Sequence, residues 1–250
     1  MQVCSLASVC VAVPLAGGHL TIEGVLWGAL GGVGAGTGAL ALYRGLAREE
    51  MSVVGPISGV GAAAIPVLVG LALGERPSIV TRAGVVLILP AVWLIARVDD
   101  PVSPEGTRVT AGRAGIVEGS LAGVGFGVFF LALAQAGAGD GLWPSAASTA
   151  AAALLVTGVA VAQGARLPRR SGSRRTALTA ASAGLCAGAT NTLYLLATRQ
   201  GLLVVVAVLA ALYPAVTVLL ARAVLHERSS RGQVFGLVMA AGAVVAITAG

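Results

Sequence analysis

The chain has 250 residues, of which 57% are hydrophobic and 10% charged, with a mean hydropathy of +0.93 and a formal net charge of +6. A soluble domain of this size would be about a quarter charged, so the composition excludes an ordinary soluble fold and predicts an all-α, polytopic membrane helix bundle. Every basic residue is an arginine between apolar runs, which favours positions flanking a membrane over nucleic-acid binding.

Nine apolar segments are predicted to be helices, and the loops between them are short. Apolar runs that do not alternate with polar residues are typical of membrane-spanning helices rather than of strands. The predicted bounds, in chain order, are 2–16, 24–46, 51–73, 79–96, 114–136, 143–163, 176–198, 202–222 and 231–249. The loops leave no room for a soluble domain.

The arginines are divided unevenly between alternate loops. One set of loops holds thirteen of them, whereas the other set holds Arg76, Arg82 and Arg199. Positively charged residues accumulate in cytoplasmic loops. We therefore expect a multi-pass protein of the cell membrane with its arginine-rich loops and N-terminus inside and its C-terminus outside.

A short motif occurs twice, as ALGERPS at 72–78 and as VLHERSS at 224–230. In one register the copies align Leu73 with Leu225, Glu75 with Glu227, Arg76 with Arg228, Ser78 with Ser230 and Gly84 with Gly236. About five predicted spans separate the copies, so equivalent loops would face opposite sides, as in the inverted repeats of many secondary transporters. The repeats are expected to cover 1–98, with four helices, and 112–250, with five.

Two predicted helices carry a glycine at every fourth position. The glycines are Gly24, Gly28, Gly32 and Gly36 in one helix, and Gly115, Gly119, Gly123 and Gly127 in the other. A four-residue step keeps small residues on one helix face, which predicts close approach of another backbone.

Glu118 lies about one turn into a predicted span, and a charged residue there is costly in a bilayer. Two interpretations stay open. The carboxylate would couple transport to a proton or cation, or it would lie at the membrane interface and pair with Arg113.

Asn191 is the best single candidate for contact with a substrate, because an amide near the centre of a span needs a hydrogen-bond partner. Tyr194 shares its helix face, and Tyr43 lies on the corresponding face of the first repeat. Gln135 and Thr37 complete the candidates for a midplane cavity. The alternative is hydrogen bonding between helices for Asn191 and an interfacial position for Tyr43.

The pairs Glu75-Arg76 and Glu227-Arg228 lie where a loop meets a helix. A structural role is expected, in which the acid favours a helix N-terminus and the arginine pairs or contacts headgroups. Direct contact with a substrate is the alternative. Pro214, inside the predicted span before the second motif, is expected to kink that span.

Two stretches carry a family resemblance. Leu212–Ile247, LYPAVTVLLARAVLHERSSRGQVFGLVMAAGAVVAI, and Tyr43–Ile95, which contains YRGLAREEMSVVGPISG and LALGERPSIVTRAG, resemble EamA-type members of the drug/metabolite transporter superfamily. The resemblance implies ten helices in two five-helix inverted repeats, and transport of small metabolites, amino acids or drugs, usually outward. Against that pattern, the first helix of the first repeat is expected to be missing.

The sequence contains no evident nucleophile–base pair, metal cluster or phosphate-binding loop, so neither an enzyme nor a cofactor is expected. The leading hypothesis is a secondary transporter that works by alternating access. Its partners would be the lipid bilayer, a small-molecule substrate and a coupling proton, with no nucleic acid, in a monomer or homodimer. The alternative is a non-transporting or inactive truncated membrane paralogue.

Overall fold

A computed structural model describes Ser5, Val9 and Val13 and the ranges 17–48, 51–96, 113–164, 174–224 and 230–249. Within these residues all regular structure is helical. The α-helices are α1 (Ile22–Ala47), α2 (Met51–Ala72), α3 (Ile79–Ala96), α4 (Arg113–Gln135), α5 (Trp143–Ala162), α6 (Arg174–Thr198), α7 (Leu203–Ala210), α8 (Tyr213–Val224) and α9 (Arg231–Ala249). A 3₁₀ helix, Ala138–Asp140, lies between α4 and α5.

Five of the described helices, α1 to α5, are long and apolar enough to cross a membrane. Their most apolar windows have mean hydropathies of 1.5 to 2.2, and a span needs about 17–25 apolar residues. The chain is an all-helical protein suited to a membrane environment, as its composition predicts. Of the segment predicted at 2–16, only Ser5, Val9 and Val13 lie within the described residues, and all three are helical and buried.

The single span predicted over 202–222, with a kink at Pro214, is divided into two helices. The chain turns at Ala211 and Leu212, between α7 and α8. The N–H of Leu212 donates to the carbonyl of Leu209 at 3.2 Å, and the N–H of Ala215 donates to the carbonyl of Leu212 at 2.9 Å. Each of these bonds spans three residues, whereas a bond of an α-helix spans four. Pro214 has no N–H to donate to the preceding turn, so an α-helical bond is lost at this point. Pro66, by contrast, lies within α2 without ending it.

Hydroxyl side chains cap three helices at their first turns. Thr21 Oγ1 accepts the N–H of Gly24 at the start of α1, at 3.0 Å. Ser78 Oγ accepts the N–H of Thr81 at the start of α3, at 3.1 Å. Ser230 Oγ accepts the N–H of Gln233 at 3.2 Å, and Gln233 Oε1 accepts the N–H of Ser230 at 3.0 Å, which makes a capping box at α9. The serine shared by both sequence motifs is therefore an N-cap in both copies.

The chain divides into two compact units: unit 1 is Met1–Thr37 with Val128–Gly201, and unit 2 is Gly38–Gly127 with Leu202–Gly250. Because α1 and α4 each contribute to both units, the units are distinct from the repeats expected at 1–98 and 112–250, which stay a prediction.

In unit 1 the glycine stripe of α1 packs against α5, as its spacing predicts. Methyl groups added at Gly28 and Gly32 would meet the backbone carbonyls of Pro144 and Ser148, and one added at Gly36 would lie 3.2 Å from a methyl carbon of Leu155. Residues later in α1 contact residues later in α5, so the two helices run in the same direction.

In unit 2 the second glycine stripe packs against α2. A methyl group at Gly123 would lie 3.1 Å from Gly61 Cα, and one at Gly127 would lie 2.8 Å from Ile65 Cβ. The unit's core is aliphatic and comes from α2, α3, α7 and α9. Its fully or nearly buried members are Val67, Val85, Ile88, Val92, Val204, Val208, Ala243 and Ile247.

Helices α3 and α9 contact each other reciprocally in unit 2. A methyl group at Gly84 would lie 2.7 Å from Ile247 Cγ1 and 2.8 Å from the carbonyl oxygen of Ala243. One at Gly236 would lie 2.9 Å from Ile95 Cγ1 and 3.0 Å from the carbonyl oxygen of Ala91. The start of each helix faces the end of the other, so the two helices are antiparallel.

Candidate functional site

A polar cluster joins α5 to α6 inside unit 1. We call Ser145, Ser148, Thr149, Asn191 and Tyr194 the Asn191 cluster. Asn191 Nδ2 donates to Thr149 Oγ1 at 3.2 Å, and Thr149 Oγ1 donates to the carbonyl of Ser145 at 2.9 Å. The partner expected for the Asn191 amide is therefore a threonine on the neighbouring helix.

Tyr194 lies one turn from Asn191, as predicted, and only 5% of it is exposed. Its hydroxyl donates to the carbonyl of Phe130 at 3.0 Å. Its ring centroid lies 4.8 Å from that of Phe130 and 6.1 Å from that of Phe129. The end of α4 thus packs its aromatic rings against Tyr194 of α6.

Two hydroxyls of the Asn191 cluster are buried without a hydrogen-bond partner among the described residues. They belong to Ser145 and Ser148, which are 0% and 1% exposed. A buried hydroxyl without a partner costs about 1–3 kcal/mol, and such groups occur where a ligand or an ordered water completes the bonding. The cluster offers hydroxyl and amide groups, with no ionisable carboxyl or amine of its own, to a polar solute.

The other neutral candidates lie outside this cluster. Thr37 donates to the carbonyls of Val33 and Gly34 within its own helix, at 2.8 and 3.0 Å, and is exposed. Gln135 is exposed at the end of α4. Tyr43 belongs to unit 2 and is 62% exposed, as an interfacial tyrosine would be.

Glu118 belongs to unit 2 and forms an ion pair there. Its Oε1 lies 3.5 Å from Nη1 of Arg48, with 13% of the Glu118 side chain and 57% of the Arg48 side chain exposed. The sequence predicted Arg113 as the pairing partner of Glu118. The Arg113 side chain is not among those that the structure describes. The carboxylate is thus mostly buried while its partner remains accessible.

A second polar group, at one end of unit 1, was missed by the sequence analysis. Asp140 is 5% exposed, and its Oδ1 accepts the hydroxyl of Thr21 at 2.6 Å. Arg199, just after α6, donates from Nη2 to the carbonyls of Gly137 and Gly141 at 3.1 and 2.5 Å. Burial lowers the pKa of the Arg199 guanidinium, and the charge of Asp140 opposes that effect. The signal in the sequence was one carboxylate within the glycine-rich run GAGDG, between two apolar segments.

Replacing Asp140 with alanine is expected to destabilise the protein by about 1–3 kcal/mol, because the Thr21 hydroxyl and the Arg199 guanidinium would lose a buried acceptor and a counter-charge. Thermal unfolding of the purified protein in detergent measures this loss. Glu23→Ala is the matched control, because Glu23 is an exposed carboxylate two residues after Thr21. Equal unfolding temperatures for the two variants would show that the Asp140 contacts contribute no stability.

The motif residue Glu75 does cap a helix, but not the one that follows it. The start of α3 is capped by Ser78, whereas the Glu75 carboxylate accepts the N–H groups of Leu203 and Val204 at 2.8 and 3.0 Å. These are the first two residues of α7. Glu227 and Arg228 lie outside the described residues, so their expected role stays a prediction. The role expected of Arg76 also stays a prediction, because no contact of its side chain is seen with the part of the chain that the structure describes.

No group of three or more His, Cys, Asp or Glu side chains suited to a metal ion occurs among the described residues. The described cysteine, Cys186, is free and exposed.

The described helices and the Asn191 cluster define a helical membrane protein with a polar site inside one unit. No protein-family model matches this sequence, and no curated protein matches it. A solved structure described as "Crystal structure of protein" is similar over 99% of this chain and 97% of its own, with a TM-score of 0.50 and 17% sequence identity. At this identity the likeness concerns the fold alone.

Proposed function

We propose that this chain is a secondary transporter of the EamA type, which exports small metabolites, amino acids or drugs across the cell membrane by alternating access. The observation that carries the proposal is the reciprocal packing of α3 on α9. Gly84 and Gly236, Ala91 and Ala243, and Ile95 and Ile247 are pairs separated by the same 152 residues (236 minus 84). A methyl group at Gly84 would meet Ala243 and Ile247, and one at Gly236 would meet their equivalents, Ala91 and Ile95. Such exchange of equivalent contacts is what a two-fold axis produces.

The helix bounds support the same repeat. A spacing of 152 residues (174 minus 22) separates the starts of three helices from three others: Ile22 from Arg174, Met51 from Leu203, and Ile79 from Arg231. Each helix would therefore have an equivalent in the other repeat: α1 in α6, α2 in α7 with α8, and α3 in α9.

The directions of the helices support inversion. The equivalent helices α3 and α9 are antiparallel, so their two-fold axis lies across the helices and, for spanning helices, in the plane of the membrane. Five candidate spans, α1 to α5, also separate the start of α1 from the start of α6. An odd number of crossings places equivalent ends on opposite faces, which is the arrangement that gives secondary transporters two matching gates.

Contacts between loops support the proposed alternation of the loops between two faces. Arg199 lies in the arginine-poor set of loops, and Thr21 and Asp140 lie in other loops of the same alternation; the three meet in unit 1. Arg48 lies in an arginine-rich loop, and it pairs in unit 2 with Glu118, which lies near the start of the span that follows another arginine-rich loop. We propose that the arginine-rich face is cytoplasmic. The protein would be a monomer or a homodimer.

The Asn191 cluster is our proposed substrate contact, because it combines an amide, two buried hydroxyls without a partner among the described residues and an aromatic ring. Alternating access would open it to each face in turn. No catalytic residue and no cofactor are part of the proposal.

The experiment that tests transport is a solute profile of cells that express this chain and of their medium, against an empty vector and an Asn191→Ala variant at matched expression. One compound that rises outside and falls inside, less so in the variant, is the expected result. An unchanged profile across amino acids, common metabolites and cytotoxic drugs would contradict export and favour the non-transporting alternative.

Glu118 is our proposed coupling carboxylate, because it is 13% exposed and lies near the start of α4. Replacing Glu118 with glutamine is expected to remove the dependence of export on the proton gradient, since glutamine cannot release a proton. Export measured with and without a protonophore tests this, with Arg48→Gln as the control that breaks the same ion pair and keeps the carboxylate. Proton-dependent export by the Glu118 variant would exclude the role.

A further inference from the structure

The N-terminus of α7 has no local cap. Its N-cap residue, Leu202, is extended and its side chain accepts no hydrogen bond. The N–H of Leu203 instead donates to Glu75 Oε1 at 2.8 Å, and the N–H of Val204 donates to Glu75 Oε2 at 3.0 Å, across 128 and 129 residues of chain. One carboxylate thus satisfies two amides that a helix start leaves unpaired, and its charge suits the positive end of the helix dipole.

Glu75 is itself held in place by the end of α2. Its N–H donates to the carbonyl of Gly70 at 3.0 Å. A methyl group at Gly70 would lie 2.7 Å from Val204 Cγ2 and 3.0 Å from Glu75 Oε2. Glycine at this position therefore gives the carboxylate and the start of α7 the space to meet.

The two halves of the broken span differ in burial. In α7, Leu203, Val204, Ala207 and Val208 are buried, and Val204 and Val208 belong to the aliphatic core of unit 2. In α8, Val216, Leu219 and Leu220 are 56%, 52% and 57% exposed. The break at Ala211 and Leu212 therefore separates a capped half that is buried in the core from a second half that touches the core at its start, through Ala215, and is exposed further along.

We propose that Glu75 is a positioning residue that anchors α7 to the end of α2, so that the break at Ala211 and Leu212 lets α8 change its angle while α7 stays in place. In many secondary transporters discontinuous helices form the substrate and ion sites, around which one bundle moves against the other. The anchoring of α7 is supported by contacts within unit 2. The role of that anchoring in transport rests on the proposed function.

Amide hydrogen exchange of the full chain in lipid nanodiscs tests the anchoring without any transport assay. Glu75→Gln is expected to raise exchange at Leu203 and Val204 by about tenfold, because the amide side chain can accept only one of the two bonds. Gly70→Ala is expected to have the same local effect while it keeps the carboxylate. Glu23→Gln, an exposed carboxylate replaced in the same way, is the control.

Three outcomes decide the anchoring. Faster exchange confined to the start of α7 in both variants supports it. Unchanged exchange at Leu203 and Val204 would overturn it. Equal acceleration in α3 and α9 would also overturn it, because Glu75 would then support the whole fold rather than α7.

Transport kinetics test the second half of the proposal. For a solute that this chain exports, Glu75→Gln is expected to lower the maximal rate about tenfold with the KM unchanged, because Glu75 positions a moving helix and does not contact the solute. A raised KM at an unchanged maximal rate would overturn that role. If the wild-type chain exports nothing, the proposed function fails, and the exchange result still decides the anchoring.

Discussion

Valine at Gly84 or at Gly236 is expected to destabilise the protein to a similar extent, by about 1–3 kcal/mol, the usual cost of forcing extra carbons into a packed interface. Each new side chain would meet a backbone carbonyl, of Ala243 or of Ala91, that cannot move away without separating α3 from α9. Thermal unfolding in detergent measures the loss.

Gly242→Val is the matched control for this pair. Gly242 is also in α9, and a methyl group there would have nothing within 4 Å, so the control carries the cost of a β-branched residue in a helix without the clash. Strong destabilisation by only one variant of the pair would contradict the reciprocal contact on which the repeat depends.

Alanine at Asn191 is expected to raise the KM for the exported solute about tenfold, with little change in the amount of protein in the membrane. The reason is that one hydrogen bond of about 1–1.5 kcal/mol is lost from the bound solute. The measurement is the rate of export against internal concentration, for the compound found in the solute profile.

Thr190→Val is the control for Asn191, because the neighbouring Thr190 hydroxyl donates to the carbonyl of Cys186 in its own helix and is exposed. An unchanged KM in Asn191→Ala would remove Asn191 from the substrate site and leave its bond to Thr149 as a purely structural contact.

The class of fold could be predicted because it depends on composition and on the length of apolar runs. The predicted bounds 79–96 and 231–249 agree with the structure. Both helices begin just after a serine, Ser78 or Ser230, whose hydroxyl accepts an N–H of the first turn. The break before Pro214 was anticipated only as a kink. A sequence shows that a proline lacks an N–H, but not whether neighbouring contacts keep the helix continuous, as they do at Pro66.

The candidate site was predicted less completely. Asn191 and Tyr194 were found because polar groups in a span are rare, whereas Ser145, Ser148 and Thr149 are small residues in an alanine-rich run that resemble packing residues. Arg199 was counted as a loop residue and Asp140 was not singled out, and only the fold brings them together near Thr21. The role of Glu75 depends on a helix start 128 residues away, which no local pattern in the sequence reports.

The most direct test of the account is the side of the membrane on which equivalent loops lie. With Cys4, Cys10 and Cys186 replaced by serine, single cysteines at Ser78 and at Ser230 would be labelled in intact cells with a membrane-impermeant maleimide, before and after permeabilisation. We predict labelling at position 78 in intact cells and at position 230 only after permeabilisation. Labelling of both positions from the same side would contradict the inverted repeat and, with it, the proposed transporter.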